Sequence, residues 1–138
     1  MVTDNDNPGI LDFQDAVAGP LTYDLVSLLK DCYVKWPRPR TNQWAREYYQ
    51  RINTTEFIGN FDENEFLRWF DLMGVQRHLK AVGIFARLYH RDGKDGFLKD
   101  IPRTLSYILD LEKDYPELSD LCRFIGDIVM PQLGPEAG

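Results

Sequence analysis

Long hydrophobic runs are missing from this sequence of 138 residues. No stretch approaches the ~18 apolar residues of a membrane-spanning helix, and the opening Met1-Val2-Thr3-Asp4 is no signal peptide. Excess positive charge is missing too. Sixteen Lys and Arg stand against 22 Asp and Glu, for a net charge of −6 and a pI near 4.8. That balance excludes the clustered basic surface of a nucleic-acid groove or of a protein held on an anionic membrane. Cysteine is scarce: Cys32 and Cys122 lie far apart with no CxxC spacing, so they read as reduced, packed thiols of a cytoplasmic protein, with a disulfide between them left open. Histidine is scarcer still for a metal site, because neither His78 nor His90 has a second ligand at helical i,i+4 spacing or any third ligand. Both read as helix-surface histidines. Internal repeats and low-complexity segments are absent as well.

What remains is enough for one domain with a real core. Apolar residues make up 43% of the chain, and three Trp, seven Tyr and eight Phe supply bulk. Only the first residues read as β: Met1-Val2-Thr3, a turn-rich Asp4-Asn5-Asp6-Asn7-Pro8, then Gly9-Ile10-Leu11-Asp12-Phe13, forming a hairpin with a wide loop. The rest is helical. Thr22 caps a helix running to about residue 34, with Leu25, Leu28, Leu29 and Cys32 on one face and Asp24, Ser27 and Asp31 on another. Trp36-Pro37-Arg38-Pro39-Arg40 ends it, since two prolines cannot sit inside a helix. A second helix, capped by Thr41 or Asn42, is expected over residues 43–53.

Asp62 with Glu65 three positions on is a capping-box pattern. It opens a helical stretch through His90, with Gly74 and Gly83 marking either a break or a close helix contact. A turn at Asp92-Gly93-Lys94-Asp95-Gly96 follows. Two more helices are expected over residues 100–115 and 116–133, with Pro102 and Pro116 in their first turns. The last residues read as a frayed tail.

The stretch Asp12-Phe13-Gln14-Asp15-Ala16-Val17-Ala18-Gly19-Pro20-Leu21-Thr22-Tyr23-Asp24-Leu25 resembles the metal-binding segment of the aminoglycoside phosphotransferase-like kinases. It is most similar to the branch of sugar kinases that phosphorylate the anomeric hydroxyl of N-acetylmuramate and N-acetylglucosamine. Ala86-Arg87-Leu88-Tyr89-His90-Arg91-Asp92-Gly93-Lys94 adds to the likeness. The resemblance implies a mainly α fold, the C-terminal helical lobe of a protein-kinase-like fold with a short N-terminal β-hairpin. On this reading residues 1–15 are the hairpin and metal-binding segment, and residues 22–133 the helical subdomain.

The resemblance further implies an ATP- and Mg²⁺-dependent sugar kinase of cell-wall recycling. Its nucleotide lobe, phosphate-positioning Lys and HxDxxxxN catalytic loop are expected upstream of Met1. Met1 is then an internal methionine of a longer kinase or the start of a truncated reading frame, and the 138 residues alone, with no catalytic base among them, are inactive. The other reading of the chain is a standalone helical module that binds a partner or small ligand without catalysis.

Asp12, past a short strand, is implied as the magnesium ligand, since hard oxygen donors suit that ion. Gln14 stands where protein kinases carry Gly, so a flip of that segment is not implied. Asp15 is either an outer-shell partner of the metal or a surface acid. Asp24 is implied as structural support of the catalytic loop, accepting backbone N–H bonds, or else it caps its own helix. Asp31, Tyr33, Trp36 and Arg91 are the substrate-binding candidates. Against them stands the reading that Tyr33 and Trp36 are core or rim aromatics and Arg91 pairs with a nearby acid. The implied partners are the missing N-terminal portion and the sugar, with no nucleic acid and no membrane. A homodimer through the apolar face from Tyr23 to Trp36 is a further expectation.

Overall fold

The computed structural model describes residues 18–54, 59 and 61–133. The expected hairpin and Asp12 lie outside these residues, as does most of the tail. The described residues form helices and no strand: α1 (Tyr23–Leu29), α2 (Arg38–Ile52), α3 (Glu63–Asp92), α4 (Ile101–Leu109) and α5 (Ser119–Phe124). Short 3₁₀ turns precede α4 and α5 at Leu98–Asp100 and Pro116–Leu118. After α5 the chain widens into a π-helical segment, Ile125–Val129, and ends in a 3₁₀ turn, Met130–Gln132.

The 30-residue α3 is the spine of the molecule, about 45 Å long. Its start is fixed by the expected capping box. Glu65 N donates to Asp62 Oδ1 at 2.8 Å, and Asp62 N donates to Glu65 Oε2 at 3.4 Å. Its end is fixed by Gly93, which takes a left-handed φ of 66° so that Gly93 N reaches Tyr89 O and Lys94 N reaches Leu88 O. Two hydrophobic clusters hang on this spine. Its first half packs Phe66 and Phe70 against Leu25, Val26 and Leu29 of α1 and Ala45 of α2. Its second half packs Val75 and Phe85 against Ile101, Leu105 and Ile108 of α4 and against Cys122 and Ile125. Both cysteines are free; the buried Cys122 thiol lies 3.6 Å from Ile108 O.

Between the two clusters lies a buried carboxylate. Asp71 Oδ1 accepts from Lys30 Nζ at 2.6 Å; Oδ2 accepts from Arg38 Nη2 at 3.2 Å and from Tyr115 Oη at 2.8 Å. Arg38 also binds the Asp114 carboxylate and the Asp110 carbonyl. One side chain of α3 thus collects the end of α1, the start of α2 and the segment after α4. Burial draws the Lys30 pKa below the usual lysine value, and the adjacent Asp71 opposes that shift. Burial, with Asp71 beside it, pushes the Tyr115 phenol upward.

This arrangement explains where helices differ from expectation. α1 stops at Leu29, well short of residue 34, because Lys30 turns inward to Asp71 and Asp31 Oδ1 accepts from Tyr33 N at 2.9 Å in a local turn. Its apolar stripe is split: Leu25 and Leu29 are buried while Leu28 is 74% exposed, and Val26 takes the inner position. Thr22 stands at the N-cap, but its hydroxyl donates to Trp69 O at 3.4 Å and not to its own helix.

α2 begins five residues earlier than expected. Pro37 is its N-cap and Pro39 lies in its first turn, where a missing N–H has no intrahelical acceptor to lose. Those prolines open a helix; they do not close one. α4 ends at Leu109, since successive turns carry Tyr115 back to Asp71. The last helix is α only to Phe124, and Pro131 lacks the N–H that would close an α turn onto Asp127. Gly74 and Gly83 do not break α3. A Cβ on Gly74 would lie 3.2 Å from Lys30 Cδ, so this glycine leaves the corridor through which Lys30 reaches Asp71.

Removing the Asp71 carboxylate strands a buried ammonium. Asp71→Ala is expected to lower the unfolding free energy by about 3–5 kcal/mol, read as a lower urea midpoint. The Lys30→Met/Asp71→Leu double variant removes both buried charges and is expected to lose less than the single substitution; an equal or larger loss would show that the pair's charge is not the cause.

Candidate functional site

The turn between α1 and α2, residues 30–36, lies over the middle of α3 and the first turns of α4. Its backbone is held from below. Tyr107 Oη donates to Val34 O at 2.9 Å and lies 3.2 Å from Asp31 O. Arg103, fixed to Asp100 Oδ1 at 2.7 Å, reaches Tyr33 O at 3.4 Å and Cys32 O at 3.5 Å. His78 lies stacked on Tyr107, ring centroids 4.4 Å apart and 19° from parallel. Its Nε2 is 3.0 Å from Lys30 O. A carbonyl can only accept, so Nε2 carries the proton, and burial, which lowers the ring's pKa to about 4, keeps it neutral as the Nε2–H tautomer.

Above this floor opens a pocket of about 280 Å³ lined by Ser27, Asp31, Cys32, Tyr33, Arg77 and Phe85 with Lys30 and His78 beneath. Two substrate candidates, Asp31 and Tyr33, therefore meet in one pocket, though on a turn and not on a helix. Asp31 is exposed, with one carboxylate oxygen engaged by Tyr33 N. The Tyr33 ring lies 6.4 Å from Phe85 and is half exposed. Ser27 donates its hydroxyl to Tyr23 O at 3.0 Å. Burial raises the Cys32 thiol above the usual value. Burial and the nearby Asp31 push Tyr107 up to about 12, so its hydroxyl stays a donor.

Trp36 and Arg91 do not line this pocket. Trp36 borders a separate small cavity with Lys35, Arg38 and Asp110, edge-on to Trp44 at 5.7 Å, and Arg40 lies 5.2 Å from its ring. Arg91, near the end of α3, is exposed and held by its neighbour Asp92 through bonds of 2.7 and 2.9 Å. Asp24 is exposed in the first turn of α1. Asp12, Gln14 and Asp15 are outside the described residues. Among the described residues, no three His, Cys, Asp or Glu stand close enough to hold a metal, and no helix is long and apolar enough to cross a membrane.

Two residues escaped the sequence reading. His78 is 2% exposed and belongs to the interior, which corrects its assignment to a helix surface; His90 is exposed. The signal was present, because His78 follows Val75 by three residues and precedes Phe85 by seven, on the inward stripe of α3. Arg77, the next residue back, has its guanidinium over the Tyr23 ring at 4.4 Å. Nothing in the local pattern pointed to that contact.

A model of the phosphotransferase enzyme family matches residues 1–66 of the chain. The matched segment includes Asp12, Asp24, Asp31, Tyr33 and Trp36. Over 122 residues, 88% of this chain, it is 48% identical to the N-acetylmuramate/N-acetylglucosamine kinase of Pseudomonas putida and 45% identical to that of Neisseria meningitidis, covering 36% of each. It is 46% identical over 131 residues to the enzyme of the same name from Pseudomonas aeruginosa, covering 95% of this chain and 38% of that one. The chain thus spans about a third of the length of the curated relatives it matches. No solved structure matches it.

The neutral His78 has a consequence in acid. Burial, with Lys30 and Arg77 adding positive potential, lowers its pKa from 6.5 to about 4. The unfolded chain therefore binds a proton near pH 6.5 that the folded chain refuses until about pH 4. This contribution to stability is full above pH 6.5 and is lost as the pH falls toward 4, by up to roughly 3 kcal/mol. Urea midpoints between pH 7 and 5 should fall more steeply for the wild type than for His78→Gln; parallel curves would remove His78 as the cause.

Proposed function

We propose that these residues are the helical part of an ATP- and Mg²⁺-dependent phosphotransferase of the cytoplasm. Its acceptor is the anomeric hydroxyl of a cell-wall amino sugar, N-acetylmuramate or N-acetylglucosamine. The observation that carries this reading is the 45–48% identity, across nearly the whole chain, to kinases named for those two sugars. The pocket supports it in chemical terms. Sugar sites combine a flat aromatic face with a few polar groups that fix hydroxyls, and Tyr33, Asp31 and Ser27 supply such a set.

Each residue then has a task. Asp31 accepts from sugar hydroxyls through its uncommitted oxygen. Tyr33 offers a face for the ring. The Tyr107 and Arg103 bonds hold the carbonyls of their turn, so both side chains are set before substrate arrives. Asp24, in the first turn of α1, positions the catalytic loop by accepting its backbone N–H groups. Asp12 is the carboxylate assigned to magnesium, which neutralises charge on the transferred phosphoryl group. Trp36 and Arg91 have other work: Trp36 packs with Trp44 and Arg40, and Arg91 pairs with Asp92. No residue of the 138 is assigned as catalytic base, so the chain alone is expected not to turn over.

The test is a chimera in which these residues replace the matching third of the Pseudomonas putida relative. Phosphate transfer from ATP to N-acetylmuramate is expected, and Asp12→Ala should abolish it while leaving the thermal transition unchanged. A folded chimera inactive on both sugars would overturn the reading, and retained activity in Asp12→Ala would remove the metal assignment.

The exposed Leu28, Val34 and Trp36 also gain a use, as the face through which the isolated chain pairs with a second copy. Light scattering should report a dimer that Val34→Asp dissociates; a monomer at high concentration would exclude it.

A further inference from the structure

We infer that Arg77 reads a carboxylate on the acceptor, so that this pocket separates the acidic acetamido sugar from the neutral one. The inference rests on the sugar-kinase reading and deepens it. Arg38, Arg46, Arg68, Arg91, Arg103 and Arg123 all sit in ion pairs. Arg77, like Arg40, Arg51 and Arg87, has no ion pair among the described residues, and of these four it alone lines the pocket. Yet it is not a loose surface cation: it is half-buried, and its guanidinium lies 4.4 Å from the Tyr23 ring centroid. A guanidinium held against an aromatic face loses rotamer freedom, and its in-plane N–H groups can still meet a carboxylate in two parallel bonds.

The other cationic groups of the pocket are committed. Lys30 is bound to Asp71 at 2.6 Å, and His78 is neutral with its N–H on Lys30 O. Arg77 therefore carries the only free positive charge lining the pocket among the described residues. A neutral sugar offers that charge hydrogen-bond acceptors but no counter-charge. Asp31, on the same pocket wall, would repel an acid if nothing offset it. N-acetylmuramate differs from N-acetylglucosamine by a lactyl ether ending in a carboxylate, and a guanidinium beside hydroxyl-binding Asp31 and Ser27 matches that difference.

Binding to the 138-residue chain tests this directly. Nuclear magnetic resonance titrations would follow the Arg77 Nε–H and Tyr33 amide signals with N-acetylmuramate, its lactyl amide and N-acetylglucosamine. N-acetylmuramate should bind about 10- to 100-fold more tightly than either neutral sugar. Arg77→Met should abolish that preference while leaving the N-acetylglucosamine curve and the dispersed spectrum intact, and Arg77→Lys should restore part of it. Equal binding of all three sugars, a preference that survives Arg77→Met, or no shift of Arg77 by any sugar would overturn the inference. The chimera separates the two claims. Turnover without Arg77-dependent preference overturns this one alone, and preference without turnover overturns only the proposed phosphotransfer.

Discussion

A single buried carboxylate organises this chain. Asp71 stands at the middle of α3, where the apolar contacts of α1 and α2 give way to those of α4 and α5. An ionised carboxylate out of water is tolerable only when its oxygens are well bonded. Here it needs Lys30, Arg38 and Tyr115 together, and each of these donors dictates a backbone event. Lys30 ends α1, Arg38 begins α2, and Tyr115 decides how the chain leaves α4. A greasy contact at the same place would tolerate sliding between neighbours. Three directional bonds to one carboxylate do not.

The pocket inherits its shape from this centre. The turn carrying Asp31 and Tyr33 starts at Lys30, whose side chain goes to Asp71 and whose carbonyl goes to His78. The carbonyls of Asp31, Cys32, Tyr33 and Val34 are held by Tyr107 and Arg103 of α4. Exposed polar side chains thus project from a backbone with little freedom of its own. The stack of His78 on Tyr107 closes the floor with an uncharged ring, keeping a second positive charge away from the buried Lys30.

Local patterns made some of this legible and hid the rest. While the expected end of α3 at His90 fell two residues short of Asp92, the capping box at Asp62 and Glu65 marked its start correctly, because caps act over three or four residues. Pro102 and Pro116 were placed in first turns for the same reason, and they lie there. Pro37 and Pro39 were misread as a stop because proline suits both sides of a helix boundary, and only the packing says which. The short α1 was not legible, since it is cut by a bond between residues 41 apart in sequence. Asp31 and Tyr33 were named from the family resemblance and do share a pocket. Trp36 and Arg91 were named with them, but a few residues along a turn or a helix changed the direction in which they point. Arg77 was invisible, because what distinguishes it is its place in the pocket wall against Tyr23, a contact between distant residues.

Gly74 shows how such a centre constrains change in the sequence. In the interior of a long helix, glycine is about 1 kcal/mol worse than alanine, so the substitution would seem an easy improvement. A methyl group there would press on Lys30 at 3.2 Å and on its ammonium at 3.3 Å, and Lys30 is already held by Asp71. Drift toward a stiffer helix is opposed from that side, because Lys30 would have to give by a few tenths of an ångström while bound to Asp71. The spine carries a weak point at its midpoint where a lysine from beyond the end of α1 crosses it, and change at either position is felt at the other.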